Sequence, residues 1–175
     1  MVDRSKDFAT ILRRDIKKYL KLYTIFDENK ATDPYLIIPT KLKFKCEKCK
    51  NSWTTAHGTV QFMYHLQTRT SMIFIQVLMY PQKCRRCQLT ATLSVYDDEQ
   101  MRVAEEFVES LEKELYPSSQ SVYKAKRKHT EKRACRARNK HIKSLCMACK
   151  NGICVYNKEK QKKYRATAKN GLRSG

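Results

Sequence analysis

The sequence is poor in the residues that interrupt a chain and poor in acidic charge. Among 175 residues there are four glycines and four prolines, which excludes a collagen-like or Gly/Pro-rich low-complexity chain. Long hydrophobic runs are missing as well. The most apolar window, Met72 to Tyr80, is far shorter than the roughly 20 residues of a spanning helix and contains Gln76, so no transmembrane segment is expected. The start, Met1-Val2-Asp3-Arg4-Ser5-Lys6-Asp7, is charged and leads into an amphipathic pattern. No signal peptide is read there, and a reducing, cytoplasmic location is expected.

Asp and Glu number 17 against 37 Lys and Arg, a formal net charge of +20. A surface so biased attracts polyanions: nucleic acid, anionic lipid or acidic proteins. The excess is uneven, with +4 in residues 1–44, +6 in 45–90, −6 in 91–120 and +16 in 121–175. The length suits one domain with extensions or two small ones, and an apolar share of 41% gives a small core, which argues against a large enzyme domain.

What the chain does contain is periodicity and cysteine. Residues 7–23 place Phe8, Ile11, Leu12, Ile16, Tyr19, Leu20 and Tyr23 at helical steps, with Arg13, Arg14, Lys17, Lys18 and Lys21 opposite. Such a basic amphipathic helix can lie on a membrane or pack on a core, and packing is expected. Residues 27–40 read as irregular, with Pro34 and Pro39 breaking any helix. Leu42 to Lys45 then reads as a short strand, followed by strands at 59–66 and 72–80, with Gly58 and residues 67–71 supplying turns. A second helix is expected at 98–115, capped by Asp97, with Val103, Phe107, Val108, Leu111 and Leu115 inward and Glu105, Glu106, Glu109, Glu112 and Glu114 outward. Those carboxylates pair with basic surface or repel nucleic acid from that side. The fold class is α+β: a small antiparallel sheet, an N-terminal amphipathic helix, a second helix and a basic, flexible C-terminal region.

Eight cysteines in a reducing compartment point to metal more than to disulfides. Cys46/Cys49 and Cys84/Cys87 are two CxxC turns, and Cys146/Cys149 is a third, flanked by His141 and Cys154. The simplest partition puts Cys46, Cys49, Cys84 and Cys87 on one Zn²⁺ and His141, Cys146, Cys149 and Cys154 on a second. An interleaved pairing uses the same residues. Cys135 reads as a free thiol or a substitute for His141. Closed four-ligand sites leave no position for substrate, so both ions are expected to be structural. Binding one such ion is worth about 10–16 kcal/mol in small peptides. Two loaded sites lower the formal charge to about +17.

Catalysis of the zinc-deaminase kind needs H-x-E and P-C-x-x-C. Here Pro81 stands three residues before Cys84, and no His or Cys lies two residues before a Glu near a knuckle. Trp53 can stack on a base or pack beside the metal site, and packing is expected. His57 and His65 are expected to be ordinary surface or strand residues rather than ligands.

Phe44-Lys45-Cys46-Glu47-Lys48-Cys49, Trp53-Thr54-Thr55-Ala56, Gly58-Thr59-Val60, Gln82-Lys83-Cys84-Arg85-Arg86-Cys87 and His141 before Cys146-Met147-Ala148-Cys149-Lys150-Asn151-Gly152-Ile153-Cys154 resemble the 3CxxC-type zinc-finger family. That family includes the receptor-transporting and zygote arrest proteins, and the two helices make the layout more similar to the receptor-transporting branch. The resemblance implies a zinc-bound, non-enzymatic module, which either binds RNA or assists receptor trafficking. The polar stretch from Lys158 to Gly175 departs from the hydrophobic anchor of the trafficking members.

The organisation expected is a helix and linker at 1–40, a zinc-binding domain at 41–156 with a basic insert at 117–140, and a basic disordered tail at 157–175. The partner expected is RNA, in a regulatory or antiviral role. Phosphate contacts fall to Lys124, Lys126, Arg127, Lys128, Lys132, Arg133, Arg136, Arg138, Lys140 and Lys143, extended by Arg85 and Arg86 beside the knuckles, with Tyr123, Tyr156 and Tyr164 available for stacking. Lys124 to Lys128 also reads as a nuclear localisation signal, or as solvated charge. The alternative is an adaptor that holds a membrane-receptor client.

Overall fold

The computed structural model describes residues 5–20, 22–27, 35–116 and 141–154. Strands β1 (Tyr23–Phe26), β2 (Tyr35–Lys45), β3 (Ser52–Gln67), β4 (Met72–Met79) and β5 (Thr92–Val95) form one sheet in the order β1-β4-β3-β2-β5. Every pairing is antiparallel except β1 with β4, which is parallel, so the α+β class holds with a mixed sheet. Helices α1 (Ser5–Leu20) and α2 (Asp97–Leu115) share one core with the sheet, and a one-turn helix α3 spans Met147–Lys150.

The core follows from two periodicities meeting. Leu12, Ile16 and Leu20 form the buried stripe of α1, while alternate residues of the strands, Val60, Phe62 and Tyr64 on β3 and Ile73 and Ile75 on β4, face the helices. Phe62 stacks on Phe107 of α2 at 4.3 Å between ring centroids. Tyr64 meets the same ring edge-on, and its hydroxyl donates to Glu114.

Several elements differ from the sequence reading. Helix α1 ends at Leu20, and Tyr23, expected on its apolar stripe, opens β1 and is 61% exposed. The run Tyr23-Thr24-Ile25-Phe26 is entirely aromatic and β-branched, and pairing with β4 gives its backbone partners that a fraying last turn lacks. Within the expected irregular stretch, Tyr35–Thr40 is strand. Pro39 fits there because its carbonyl points away from β3 to Arg102, so its missing N–H also faces the side that β5 does not reach.

Gly58 makes no turn. It lies inside β3 opposite Thr40, beside the register shift between Thr40 and Leu42. A Cβ at Gly58 would stand 2.3 Å from Leu42 Cδ1 and 2.9 Å from the Thr40 carbonyl oxygen, so the glycine admits a close approach of Leu42 rather than a reversal of the chain.

Asp97 is not the cap of α2. The N-cap is Tyr96, extended at φ −70° and ψ 146°, with no side-chain cap bond, because β5 runs almost directly into the helix. Asp97, Asp98 and Glu99 occupy the first turn, where carboxylates are favoured by the helix dipole. The acidic face is partly paired within the molecule. Arg102 binds Glu99 at 3.0 Å and Glu106 at 2.5 Å, and Lys113 binds Glu109. Glu99 also accepts from the Lys41 backbone N–H at 2.9 Å, which ties the start of α2 to the irregular point of β2.

Candidate metal centres

The first centre sits where β2 leaves the sheet and β3 returns. Cys46 N–H donates to the Asn51 carbonyl at 2.9 Å, closing the turn, and Lys50 adopts φ 57°. The second knuckle repeats this geometry: Cys84 N–H donates to Leu89 O at 2.8 Å, Gln88 N–H to Cys84 O at 2.8 Å, and Gln88 adopts φ 60°. Both left-handed positions hold side chains where glycine would be unstrained.

The two turns bring Cys46, Cys49, Cys84 and Cys87 together, with all four sulfurs within 4.8 Å of one another and Cys49 Sγ 3.6 Å from Cys84 Sγ. Four sulfurs at about 2.3 Å from a tetrahedral zinc lie about 3.8 Å apart, whereas a disulfide requires about 2.0 Å. The separations fit the metal. Beneath it, Phe44 and Trp53 stack at 5.5 Å, and Trp53 Nε1–H donates to Gln82 Oε1 at 2.9 Å. Trp53 therefore packs beside the metal centre, as expected. Thr92 Oγ1 contacts both the Lys45 carbonyl and Glu47 Oε1, and this bond is the main cause of the lowered Glu47 pKa.

The second centre is built differently. A single 3₁₀ turn, Lys143–Leu145, leads through Cys146 into α3, and Gly152 at φ 74° turns the chain so that Ile153 N–H reaches Ala148 O at 3.0 Å. His141, Cys146, Cys149 and Cys154 converge with their ligand atoms within 4.8 Å. His141 Nε2 lies 3.1 Å from Cys149 Sγ and 3.6 Å from Cys154 Sγ. Cys146, Ala148, Ile153 and Cys154 form a small apolar cluster against Ile37 of β2 and Tyr80, which follows β4.

A cation decides the ionisation of both centres. Without one, packed thiols resist ionisation: the hydrogen bond with Cys49, then burial, pushes Cys87 up to about 12, and Cys154 and burial push Cys146 up. Burial raises Cys149 and lowers His141, whose imidazole is then neutral and able to donate its lone pair. A divalent ion reverses the thiol shifts by binding the thiolates. The donor sets, four sulfurs and three sulfurs with one nitrogen, suit Zn²⁺ in closed tetrahedral sites.

Residues 40–152, well over half of the chain, match the 3CxxC zinc-ribbon family, described as a zinc-binding domain. The chain belongs to that family. Neither a curated protein nor a solved structure matches it.

In this 3CxxC domain the eight expected ligands fall into the simpler of the two partitions, and two structural zinc ions fit them. His57 and His65 are exposed on β3, away from both ligand sets. Arg85 and Arg86 are exposed in the second knuckle, and Lys143 is exposed in the turn before the third. Lys124, Lys126, Arg127, Lys128, Lys132, Arg133, Arg136, Arg138, Lys140 and Cys135 lie outside the described residues, as do Tyr123, Tyr156 and Tyr164. Sequence reasoning missed Pro81, Gln82 and Lys83, which join the two centres. Their signal was position: an extended tripeptide immediately before a knuckle is placed to pair with whatever that knuckle meets.

Proposed function

We propose that this protein is a non-enzymatic, zinc-structured RNA-binding protein. The observation that carries the reading is the separation of charge. Arg85, Arg86 and Lys143 are exposed on turns that hold the metals, and among the described residues none of them pairs with a carboxylate. The acidic side chains of α2 are partly engaged with Arg102, Lys113 and Tyr64 instead. The segment 121–175 adds +16 of formal charge, and Lys124 to Lys140 are assigned the role of a phosphate-contacting arm. Four protein ligands at each centre leave no coordination position for a substrate, which supports a structural role for both ions.

The adaptor reading is favoured by one observation. Tyr23 and Ile25 on β1 are 61% and 37% exposed, an apolar edge that a protein client could cover. Among the described residues no helix is long and apolar enough to cross a membrane.

Fluorescence anisotropy of the zinc-loaded chain with single-stranded RNA separates the readings. RNA binding should weaken with salt, the log–log slope changing by about 0.7 for each phosphate that the protein neutralises, and Arg85→Glu/Arg86→Glu should reduce both affinity and slope. Salt-independent binding, or affinity unmoved by charge reversal at 85, 86 and 124–140, overturns the RNA reading. Nuclease-resistant capture of membrane receptors from cells then favours the adaptor.

A further inference from the structure

The two metal centres meet in one short ladder. Pro81, Gln82 and Lys83 run directly into Cys84. On one side the Gln82 carbonyl accepts from Ala91 N–H at 2.9 Å and Lys83 bridges Thr90, on the limb that leaves Cys87. On the other side Lys83 N–H donates to Leu145 O at 2.7 Å, Met147 N–H donates to Pro81 O at 3.2 Å, and Gln82 faces Cys146 as an antiparallel bridge. Gln82 also receives the Trp53 indole N–H from beneath the first centre.

Cys146, a ligand of the second site, therefore lies in the ladder itself, and Cys84, a ligand of the first, follows it two residues after Gln82. Metal at the first site fixes Cys84 and with it the direction of residues 81–83. Metal at the second fixes Cys146 and the turn that pairs with them. Each ion orders one strand of a pair whose hydrogen bonds need both. We propose that the two zinc sites load cooperatively, coupled through the backbone bonds that join Pro81 and Lys83 to Met147 and Leu145.

The size of the coupling follows from the two cross-ladder bonds. Each contributes about five-fold to an equilibrium, giving about 25-fold together. Linkage makes the coupling reciprocal: zinc at either site raises affinity at the other by the same factor. The apolar docking of Ile153 and Ala148 on Ile37 and Tyr80 includes no ligand of the first site, so it does not enter this factor. At limiting metal the coupling lowers the share of singly loaded chain below that of two independent sites.

The test is chelator competition on the full chain, with zinc affinity measured at each site separately. Site two is measured with site one intact and in Cys49→Ser; site one is measured with site two intact and in Cys149→Ser. The two ratios should agree, at about 25-fold. Met147→Pro keeps all eight ligands and removes one coupling donor. The backbone there suits proline, because Met147 is the first residue of α3 and Cys146, at φ −99° and ψ 117°, has the extended backbone that precedes it, while the ring carbon that replaces the N–H crowds the Pro81 carbonyl and parts the two segments. It should lower the coupling at least five-fold. Ratios within two-fold of unity, or ratios that differ between the two directions, overturn the proposal. If Cys49→Ser unfolds the whole sheet, native mass spectrometry of the wild type and Met147→Pro decides. Singly loaded chain should accumulate in Met147→Pro during partial loading, and an unchanged distribution overturns the coupling.

Discussion

Arg102→Met should be among the most damaging substitutions away from the metal ligands. Arg102 is 7% exposed and Glu99 5%, so the guanidinium is held almost entirely by protein: Glu99 at 3.0 and 3.2 Å, Glu106 at 2.5 Å and the Pro39 carbonyl at 2.7 Å. Methionine fills much of the volume but leaves the Glu99 carboxylate buried against the Lys41 N–H with no guanidinium to balance its charge. Removing one partner of a buried ion pair costs about 3–5 kcal/mol, a large part of the roughly 5–15 kcal/mol that holds a domain together. At about 2–4 °C per kcal/mol for a chain of this size, the zinc-loaded melting temperature should fall by about 10 °C. Adding Glu99→Gln removes the stranded charge and keeps an acceptor for Lys41, so the double variant should recover at least half of the deficit. The assay is thermal and urea unfolding of the zinc-loaded single and double variants. A destabilisation below about 1 kcal/mol for Arg102→Met, the range of exposed pairs, refutes the burial argument, as does a double variant no more stable than the single.

Other expectations rest on the same structure. Gly58→Ala drives a methyl group into Leu42 and the Thr40 carbonyl, and overpacking of this kind should cost about 1–3 kcal/mol in urea unfolding. Lys50→Gly relieves a left-handed backbone held at φ 57°, so zinc should be retained against chelator at least as well as in wild type despite removal of the Lys50–Glu47 pair, which is exposed and contributes little. Metal-free and zinc-loaded protein should respond differently to alkaline pH. In the metal-free fold Cys87 is raised from 9.0 to about 12, so its contribution is present below pH 9.0 and is lost as pH rises toward 12. In the metal-free fold His141, held below its ordinary 6.5 by burial, favours folding above that pH and less so below it, and in the loaded fold protons compete with zinc for the thiolates, so stability rises with pH there too. Melting temperatures with and without chelator across this range check the sign of both slopes.

The ligands were legible in the sequence because a CxxC turn is a local object: spacing alone sets two sulfurs on one side of a tight bend. The grouping of Cys46 and Cys49 with Cys84 and Cys87 was legible as the simplest partition, and the third knuckle with His141 formed a second set within fourteen residues. Strand β3 was half legible. Its alternation from Thr59 onward was clear, but Gly58 hid the continuity with Trp53, because a glycine that serves a close approach looks the same in sequence as one that serves a turn. Strands β1 and β5, four residues each, carry too few residues for a period to register, and both are set by pairing with distant strands. Pro39 was misread for a related reason: its place in a strand depends on α2 lying where a neighbouring strand would otherwise be.

The central claim is that seven cysteines and His141 hold two zinc ions in closed, four-ligand sites. X-ray absorption at the zinc edge, with metal analysis of the purified chain, tests it most directly. Two zinc ions per chain should be found, with an average shell of about 3.5 sulfurs at about 2.3 Å and half a nitrogen per ion. One zinc per chain, or a shell in which oxygen replaces a sulfur, would contradict it.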